Sequence, residues 1–345
     1  VSVNLAPISP TAWSTRSRRW LDAQGITESW VFSIPMSFEF RGVRERSGLL
    51  IRGEAGWGEF APFFDYDPEE SSTWLRSAIA SAVATSPSPV RTHVPVNAII
   101  PVVTPEVASR LAKETQSFTA KLKVADPRAD LLADCQRVKA VAEVLRESFG
   151  DRARVRIDAN GAWGADEACF AIEKLTSAAG GLEYVEQPCV SVADMAYVRA
   201  RVDTLIAADE SIRRADDPLR VAELEAADIA VVKVAPLGGV HAGMTLARSL
   251  GLPIVISSAV DTSVGLAAGV HLAAALPELP YACGFGTGRL LKGDVTPTLT
   301  VQMGRIAVDD ADRVIRDLSL SPTGNPPMNT WINRTEEVIE CLANQ

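Results

Sequence analysis

The sequence is poor in the residues that most often announce a metal centre or an imidazole-based catalyst. Only three histidines occur in 345 residues, His93, His241 and His271, and none stands at metal-ligand spacing from another. Zinc sites and histidine triads are poor candidates on that ground. Cysteine is scarce too: Cys135, Cys169, Cys189, Cys283 and Cys341 are odd in number, far apart and never arranged as CxxC. That argues against a disulfide scaffold, and reduced, mostly buried thiols are expected. No apolar run approaches the roughly 18 residues that cross a bilayer, and the first residues lack the basic-then-apolar order of a secretory leader. A cytoplasmic protein is therefore expected. Positive charge is also in deficit, with 34 Lys and Arg against 43 Asp and Glu and a net charge of −9. Nucleic acid and anionic membrane are poor partners for such a chain, which leaves a small molecule.

What the sequence does have is a change of texture along its length. Trp13, Trp20 and Leu21, with a stop at Gly25, predict a short amphipathic helix with those side chains inward. Trp30–Ile34, Phe38–Phe40 and Leu49–Arg52 read as strands, and Gly53 to Glu59 as a glycine-rich turn into another. Asp67-Pro-Glu-Glu70 has the capping chemistry to open a helix through Trp74, Ile79 and Val83. These elements predict a small α+β domain over residues 1–92, ending in the Ser/Pro-rich linker Thr85–Val90. Beyond it, short β-branched segments alternate with Ala- and Leu-rich helical ones. Asp166-Glu167 opens one of these helices through Leu175, and Pro218 opens another from Leu219 to Glu225.

Strand ends fall near Ile99, Val124, Asp158, Glu186, Asp209, Lys233, Ser257 and Cys283, at the pace of strand–helix units in an eight-stranded α/β barrel. That barrel is expected over residues 93–300, with 301–345 returning to the first domain. A doubly wound sheet is the weaker choice, because Gly284-Phe-Gly-Thr-Gly288 follows the last strand and not the first.

Three of these ends carry an acid: Asp158, Glu186 and Asp209. The C-terminal strand ends form the mouth of a barrel, so acids on three consecutive strands converge there. Each acid alone is as readily a helix cap or a solvated turn. Three together repel unless a cation holds them, and oxygen ligands without imidazole or thiol favour Mg²⁺. Asp158-Ala-Asn-Gly161 resembles a calcium loop, but Trp163 occupies the position that needs glycine. Lys121 and Lys123 share one face of their strand; alone, they read as a solvated face. With the acids on the next three strands and Lys233 ending the sixth, Lys123 and Lys233 face each other across the mouth. With Lys121 and a divalent cation beside it, Lys123 is expected to give up its proton readily enough to act as a base. Such a site can remove a proton next to a carboxylate while a metal stabilises the enediolate.

At these residues the chain resembles the enolase superfamily, in which a Lys or His base works with Mg²⁺. Lys121-Leu-Lys123 and Lys233 are similar to the muconate-lactonizing branch, and no His-Asp base pair can be assembled for the mandelate-racemase branch. Asp158-Ala-Asn-Gly-Ala-Trp163, Val185-Glu-Gln-Pro188, Ala208-Asp-Glu-Ser211, Val232-Lys-Val-Ala-Pro236 and Ile256-Ser-Ser-Ala259 extend the likeness, as does Gly56-Trp-Gly-Glu59 near the N-terminus.

The resemblance implies an α/β fold, an enolase-type modified (β/α)8 TIM barrel of form (β/α)7β with an α+β capping domain. It implies Asp158, Glu186 and Asp209 as ligands of Mg²⁺, with Mn²⁺ as a substitute. Lys123 would be the acid/base and Lys233 the stabiliser of the enediolate. Lys121, Asn160, Ser257, Ser258, Gly284 and Thr287 would meet a small carboxylate substrate. The implied reaction is that of the dehydratases of this branch, which convert 2-succinyl-6-hydroxy-2,4-cyclohexadiene-1-carboxylate to 2-succinylbenzoate in menaquinone biosynthesis. Two opposed lysines suit an N-acylamino acid racemase or dipeptide epimerase equally well. A non-catalytic binding barrel gives no reason to gather three acids and three lysines, and a Schiff-base aldolase using Lys233 would not require the acids. The segment Arg41–Arg46 is short for the specificity loop of many relatives, and Arg44 and Arg46 are expected to be exposed hairpin residues.

Overall fold

Alternation in the first quarter of the chain resolves into a four-stranded antiparallel sheet, in a computed structural model that describes residues 3–40, 42–213, 217–296 and 299–344. Its order is β1 (Asn4–Pro7), β2 (Glu28–Phe40), β3 (Val43–Gly53) and β4 (Gly56–Phe60). β2 is continuous where the sequence suggested two strands: pairing to β3 carries on through Pro35↔Glu45, and a register shift before Phe40 absorbs the irregularity. Arg41 lies outside the described residues.

Two helices cover this sheet. In α1 (Thr15–Ala23) Leu21 is buried and Trp20 only half-buried, while Trp13 is buried just ahead of the helix. α2 (Pro68–Val83) starts where Asp67 accepts the Glu70 amide at 2.8 Å, and it presses Trp74, Leu75, Ala78 and Ala82 onto the sheet. Each large apolar side chain so buried contributes about 2–3 kcal/mol.

After the antiparallel pair formed by β5 (His93–Pro95) with a later strand, a seven-stranded parallel sheet follows in sequence order. Its strands are β6 (Ala98–Ile100), β7 (Thr119–Lys123), β8 (Arg154–Asp158), β9 (Tyr184–Glu186), β10 (Ile206–Ala208), β11 (Ile229–Lys233) and β12 (Ile254–Ser257). Between them run α3 (Pro105–Glu114), α4 (Leu131–Phe149), α5 (Ala165–Ala179), α6 (Val192–Arg199), α7 (Glu210–Arg213), α8 (Arg220–Glu223) and α9 (Val240–Leu250), with α10 (Ser263–Ala275) after the last strand. The helix expected from Leu219 to Glu225 is thus the single turn α8.

Closure comes from bridges at the eighth position. Cys283 pairs with Val96 and Gly284 with Ser257, and the Gly284 amide reaches the Ile256 carbonyl at 2.8 Å. The sheet thereby curls back on itself, with Tyr184, Ala207, Ile229, Val231 and Val255 packed together.

The chain then leaves the barrel through β13 (Arg305–Ala307), which pairs with β5, and α11 (Val308–Asp317), which packs on α10. α12 (Met328–Ala343) lies against α2, where Trp331 is fully buried and meets Phe60 edge-on at 5.9 Å. Among the described residues no helix is long and apolar enough to cross a membrane.

The Gly56-Trp-Gly-Glu59 turn joins these parts. Gly56 holds φ +136°, and a Cβ on Gly58 would stand 1.9 Å from the Ala78 carbonyl oxygen, so α2 approaches β4 only because glycine is there. Trp57 Nε1 donates to the Leu318 carbonyl at 3.1 Å. Glu59 reaches across to the start of α10, where it accepts from Thr262 Oγ1 at 2.5 Å, Thr262 N at 3.1 Å and Gly265 N at 3.0 Å.

Burial, reinforced by the carboxyl of Asp261, outweighs these bonds and pushes Glu59 up to about 8. The folded state therefore holds a proton that the unfolded chain releases near pH 4.5. Stability is expected to fall between about pH 4.5 and 8, by at most about 5 kcal/mol. Glu59→Gln, which cannot ionise, should flatten that slope in urea unfolding measured from pH 5 to 9; an unchanged slope would assign the effect to another group.

Candidate active site

Strand register builds the site. Lys123, Asp158 and Glu186 pair across β7, β8 and β9, so they form one row at the C-terminal end of the sheet; Lys121, Arg156 and Tyr184 form the next row down. Period two turns both rows to the same face of the sheet. Asp209 follows the last residue of β10, and Lys233 ends β11, four strands along from Lys123 in the sheet order.

These charges are buried and interlocked. Lys121 Nζ donates to both oxygens of Glu186, at 2.7 and 2.8 Å, and to Asp158 Oδ2 at 3.3 Å. Lys123 Nζ donates to Asp158 Oδ2 at 2.5 Å and to Asn160 Oδ1 at 2.6 Å, and Lys233 Nζ donates to Asp209 Oδ2. Lys121 is thus less the neighbour of Lys123 that the sequence suggested than the counterion of Glu186.

Burial would raise Asp158 and Asp209, but the lysine ammoniums outweigh it, Lys123 and Lys121 for the first and Lys233, helped by Arg213, for the second. Both carboxyls sit below their ordinary range. Burial, with the negative charge of Asp158 close by, wins at Glu186 and raises it. Lys121 is raised because Glu186 and Asp158 overcome its desolvation. At Lys233 desolvation prevails and lowers it, with Arg213 adding to the effect.

The loops are made to hold this row. Asn160 takes φ +48°, with its amide bonded to Asp158 Oδ1 at 3.0 Å. Gln187, at φ +41°, accepts the amides of Asp209 and Ser211 on its Oε1 and gives Nε2 to Ser211 Oγ at 2.7 Å. The Glu-Gln-Pro and Asp-Glu-Ser motifs are therefore two halves of one brace.

The cleft above has about 480 Å³ of empty space, part of it open to solvent. Lys121, Lys123, Asp158, Asn160, Asp209, Lys233, Ser257, Ser258 and Thr287 line it; Glu186 lies beneath, covered by Lys121, and is completely buried. Gly284 is not at the wall: its carbonyl accepts from Ser258 Oγ at 2.7 Å, and a Cβ there would stand 2.4 Å from Ser257 Oγ. Its smallness lets the closing segment meet β12.

Sequence reasoning missed several groups. Arg46 is buried, not an exposed hairpin residue, because its guanidinium donates to the carbonyls of Val260 at 3.1 Å and Ala61 at 2.6 Å and lies over Phe63. Arg44 is exposed and paired with Glu39 at 2.8 Å. Arg156, fully buried, donates to Glu183, Asn97 and the Ala282 carbonyl and lies over Tyr184. Phe63, Tyr66 and Trp74 bring the first domain to the cleft, with Arg213 beneath Tyr66. Arg46 and Arg156 gave little local signal because their partners are remote in sequence, whereas Arg213 has Asp209 and Glu210 one turn back along the chain and only Tyr66 far away.

The donor set suits a hard divalent cation: three buried carboxylates and an amide oxygen, with no thiol or imidazole among them. Among the described residues no three such side chains are drawn into a ready cage; ammonium groups stand between the carboxylates. Lys121, Lys123, Lys233 and Arg213 balance Asp158, Glu186, Asp209 and Glu210. A divalent cation fits this balance when it enters together with a doubly negative substrate.

Comparison with known proteins agrees with this architecture. A family model described as enolase C-terminal domain-like matches residues 105–312, and one described as enolase N-terminal domain-like matches residues 31–82. The o-succinylbenzoate synthase of Thermobifida fusca is 55% identical over 264 residues, covering 76% of this chain and 81% of that protein. That of Mycolicibacterium smegmatis is 47% identical over 314 residues, covering 91% of this chain and 94% of the relative. Among solved structures, the dipeptide epimerase from Enterococcus faecalis complexed with Mg and L-Leu-L-Tyr aligns with a TM-score of 0.68 at 23% identity, over 82% of this chain and 97% of that one. Muconate lactonizing enzyme from Pseudomonas putida aligns with a TM-score of 0.64 at 19% identity, over 82% of this chain and 94% of that one. At those identities the likeness is one of fold.

Proposed function

The chain belongs to the enolase superfamily and, within it, to the o-succinylbenzoate synthases, and from that premise we propose how its cleft performs the reaction. The family's activity is a lyase step of menaquinone biosynthesis, the syn-dehydration of 2-succinyl-6-hydroxy-2,4-cyclohexadiene-1-carboxylate to 2-succinylbenzoate. The observation that carries the reading is the pair of lysines held at opposite sides of one row of buried carboxylates.

Asp158, Glu186 and Asp209 would hold Mg²⁺, or Mn²⁺ in its place. Bound there, the cation supplies positive charge against the ring carboxylate as it takes on enediolate character. Lys123 removes the ring proton beside that carboxylate and then returns a proton to the departing hydroxyl on the same face, so one side chain serves both halves of a syn elimination. Lys233 presents its ammonium to the enediolate from the other side. Asn160 fixes the Lys123 ammonium through its Oδ1. Lys121, kept charged by Glu186 and Asp158, meets a substrate carboxylate, and Ser257, Ser258 and Thr287 offer hydroxyls to the succinyl end. Gly284 shapes that wall without touching the ligand. Loss of water makes the ring aromatic, so the protein has a barrier to lower and little equilibrium to shift.

The substrate is thus a small dicarboxylate, in keeping with the charge balance of the site. The division into a cap at 1–92, a barrel at 93–300 and a segment at 301–345 that rejoins the cap is part of the same proposal. A second reading, racemisation of N-acylamino acids or dipeptides, draws on the same opposed lysines. Incubating the protein and Mg²⁺ with the cyclohexadiene substrate is expected to bleach its diene absorbance. No change, together with racemisation of N-succinyl amino acids, would replace the dehydratase by the racemase.

A further inference from the structure

The guanidinium of Arg213 spends each of its three nitrogens on a different part of the molecule. Nε donates to Asp209 Oδ1 at 3.1 Å, Nη2 to Glu210 Oε1 at 2.6 Å, and Nη1 to the hydroxyl of Tyr66 at 2.5 Å. Two routes leave it. Through Asp209 it reaches Lys233. Through Glu210, whose Oε1 also accepts from Asn160 Nδ2 at 3.2 Å, it reaches Asn160 and then Lys123.

Tyr66 belongs to the loop between β4 and α2, not to the barrel. That loop is gripped from behind by Arg334 of α12, which donates to the carbonyls of Phe63 at 2.6 Å and Tyr66 at 2.9 Å. Its face toward the cleft is Phe63 and Tyr66, stacked edgewise on each other and on Trp74.

We propose that Arg213 is the positioning residue through which the cap loop at Tyr66 sets the placement of both lysines. Arg213 lines the cleft, but each nitrogen of its guanidinium is already engaged by Asp209, Glu210 or Tyr66, so it acts through those partners. Its planar fork keeps Glu210 turned toward Asn160 and keeps Asp209 aligned with Lys233, and the Tyr66 hydroxyl holds that fork in plane. A lysine at this position carries the charge but cannot satisfy three partners in fixed directions.

The inference rests on the dehydratase reading for its kinetic arm and stands independently of it in a second arm. With substrate deuterated at the ring carbon beside the carboxylate, Arg213→Lys is expected to lower kcat about 100-fold, to change KM by less than about threefold, and to raise the isotope effect on kcat as proton transfer becomes limiting. Tyr66→Phe is expected to do the same to a smaller degree, and to add nothing in the Arg213→Lys background. A fall in rate with an unchanged isotope effect, or fully additive losses, would reduce Arg213 to a structural ion pair.

The second arm uses the full chain without substrate. Backbone amides at 159–163 are expected to exchange with deuterium at least threefold faster in Tyr66→Phe, and no faster still when Arg213→Met is added, while β8 stays protected. Unchanged exchange at 159–163 in Tyr66→Phe would overturn the coupling. If the wild type fails to bleach the diene, the reaction assignment falls and this arm still decides the role of Arg213.

Discussion

Lys123→Ala is expected to lose about 10⁴-fold or more in kcat/KM for diene bleaching while still binding Mg²⁺. The size of the loss follows from the double duty of one side chain. A positioned acid or base contributes about 10²–10⁴-fold to a single proton transfer, and a syn elimination draws on Lys123 for both removal and return of the proton. A loss of 10⁴ corresponds to about 5.5 kcal/mol of transition-state stabilisation. Retained metal binding follows from geometry. Lys123 Nζ lies 2.5 Å from Asp158 Oδ2, so its removal frees a carboxylate oxygen and leaves the row of acids intact. Lys123→Arg should be equally inactive, because a guanidinium keeps its proton at any working pH. Calorimetric titration with Mg²⁺ beside the absorbance assay checks both halves. An alanine variant within tenfold of wild type would remove Lys123 from the chemistry; one that no longer binds metal would make it a structural part of the cage.

Much of this arrangement could be read from the sequence, for an identifiable reason. Strands buried on both faces are short β-branched runs, and a parallel barrel places its chemistry at their C-terminal ends, so a charge after such a run is conspicuous. Asp158, Glu186 and Lys233 end their strands, and Asp209 stands one residue past β10. What could not be read is whatever depends on a partner far along the chain. Arg46 looks like a hairpin arginine until the Val260 carbonyl, 214 residues away, is brought beside it. Arg213 ends the one-turn helix α7 and gains its meaning from Tyr66, 147 residues earlier. The continuity of β2 was hidden by Pro35, which normally argues against a strand and here stays in register opposite Glu45, with the register shift falling between it and Phe40. Gly284, which the resemblance implied as a substrate contact, has a second role that the sequence did not show: the space a Cβ would need there is taken by Ser257 of the neighbouring strand.

The role of Lys233 separates the two reactions that the site could run. As a stabiliser of the enediolate it must carry charge and need not exchange a proton; as the second base of a racemase it must do both. Removing the charge with Lys233→Met, a side chain of similar length, is expected to cost about 10³-fold in dehydration, the scale on which one aligned donor to a developing oxyanion acts. Lys233→Arg restores a permanent cation next to Asp209 and should recover dehydration to within about 100-fold of wild type, the remainder reflecting the larger head group in a site where Arg213 already shares that carboxylate. Racemisation should not return at all, since proton transfer at the second face needs a group that can be neutral. Diene bleaching, and loss of the Cα proton of each enantiomer of an N-succinyl amino acid into deuterium oxide, measured on the same three proteins, keep the two roles apart. Recovery of dehydration without recovery of exchange fixes Lys233 as an electrostatic group. Failure of Lys233→Arg in dehydration, with its fold and Mg²⁺ binding intact, would mean that Lys233 moves a proton in the dehydration as well.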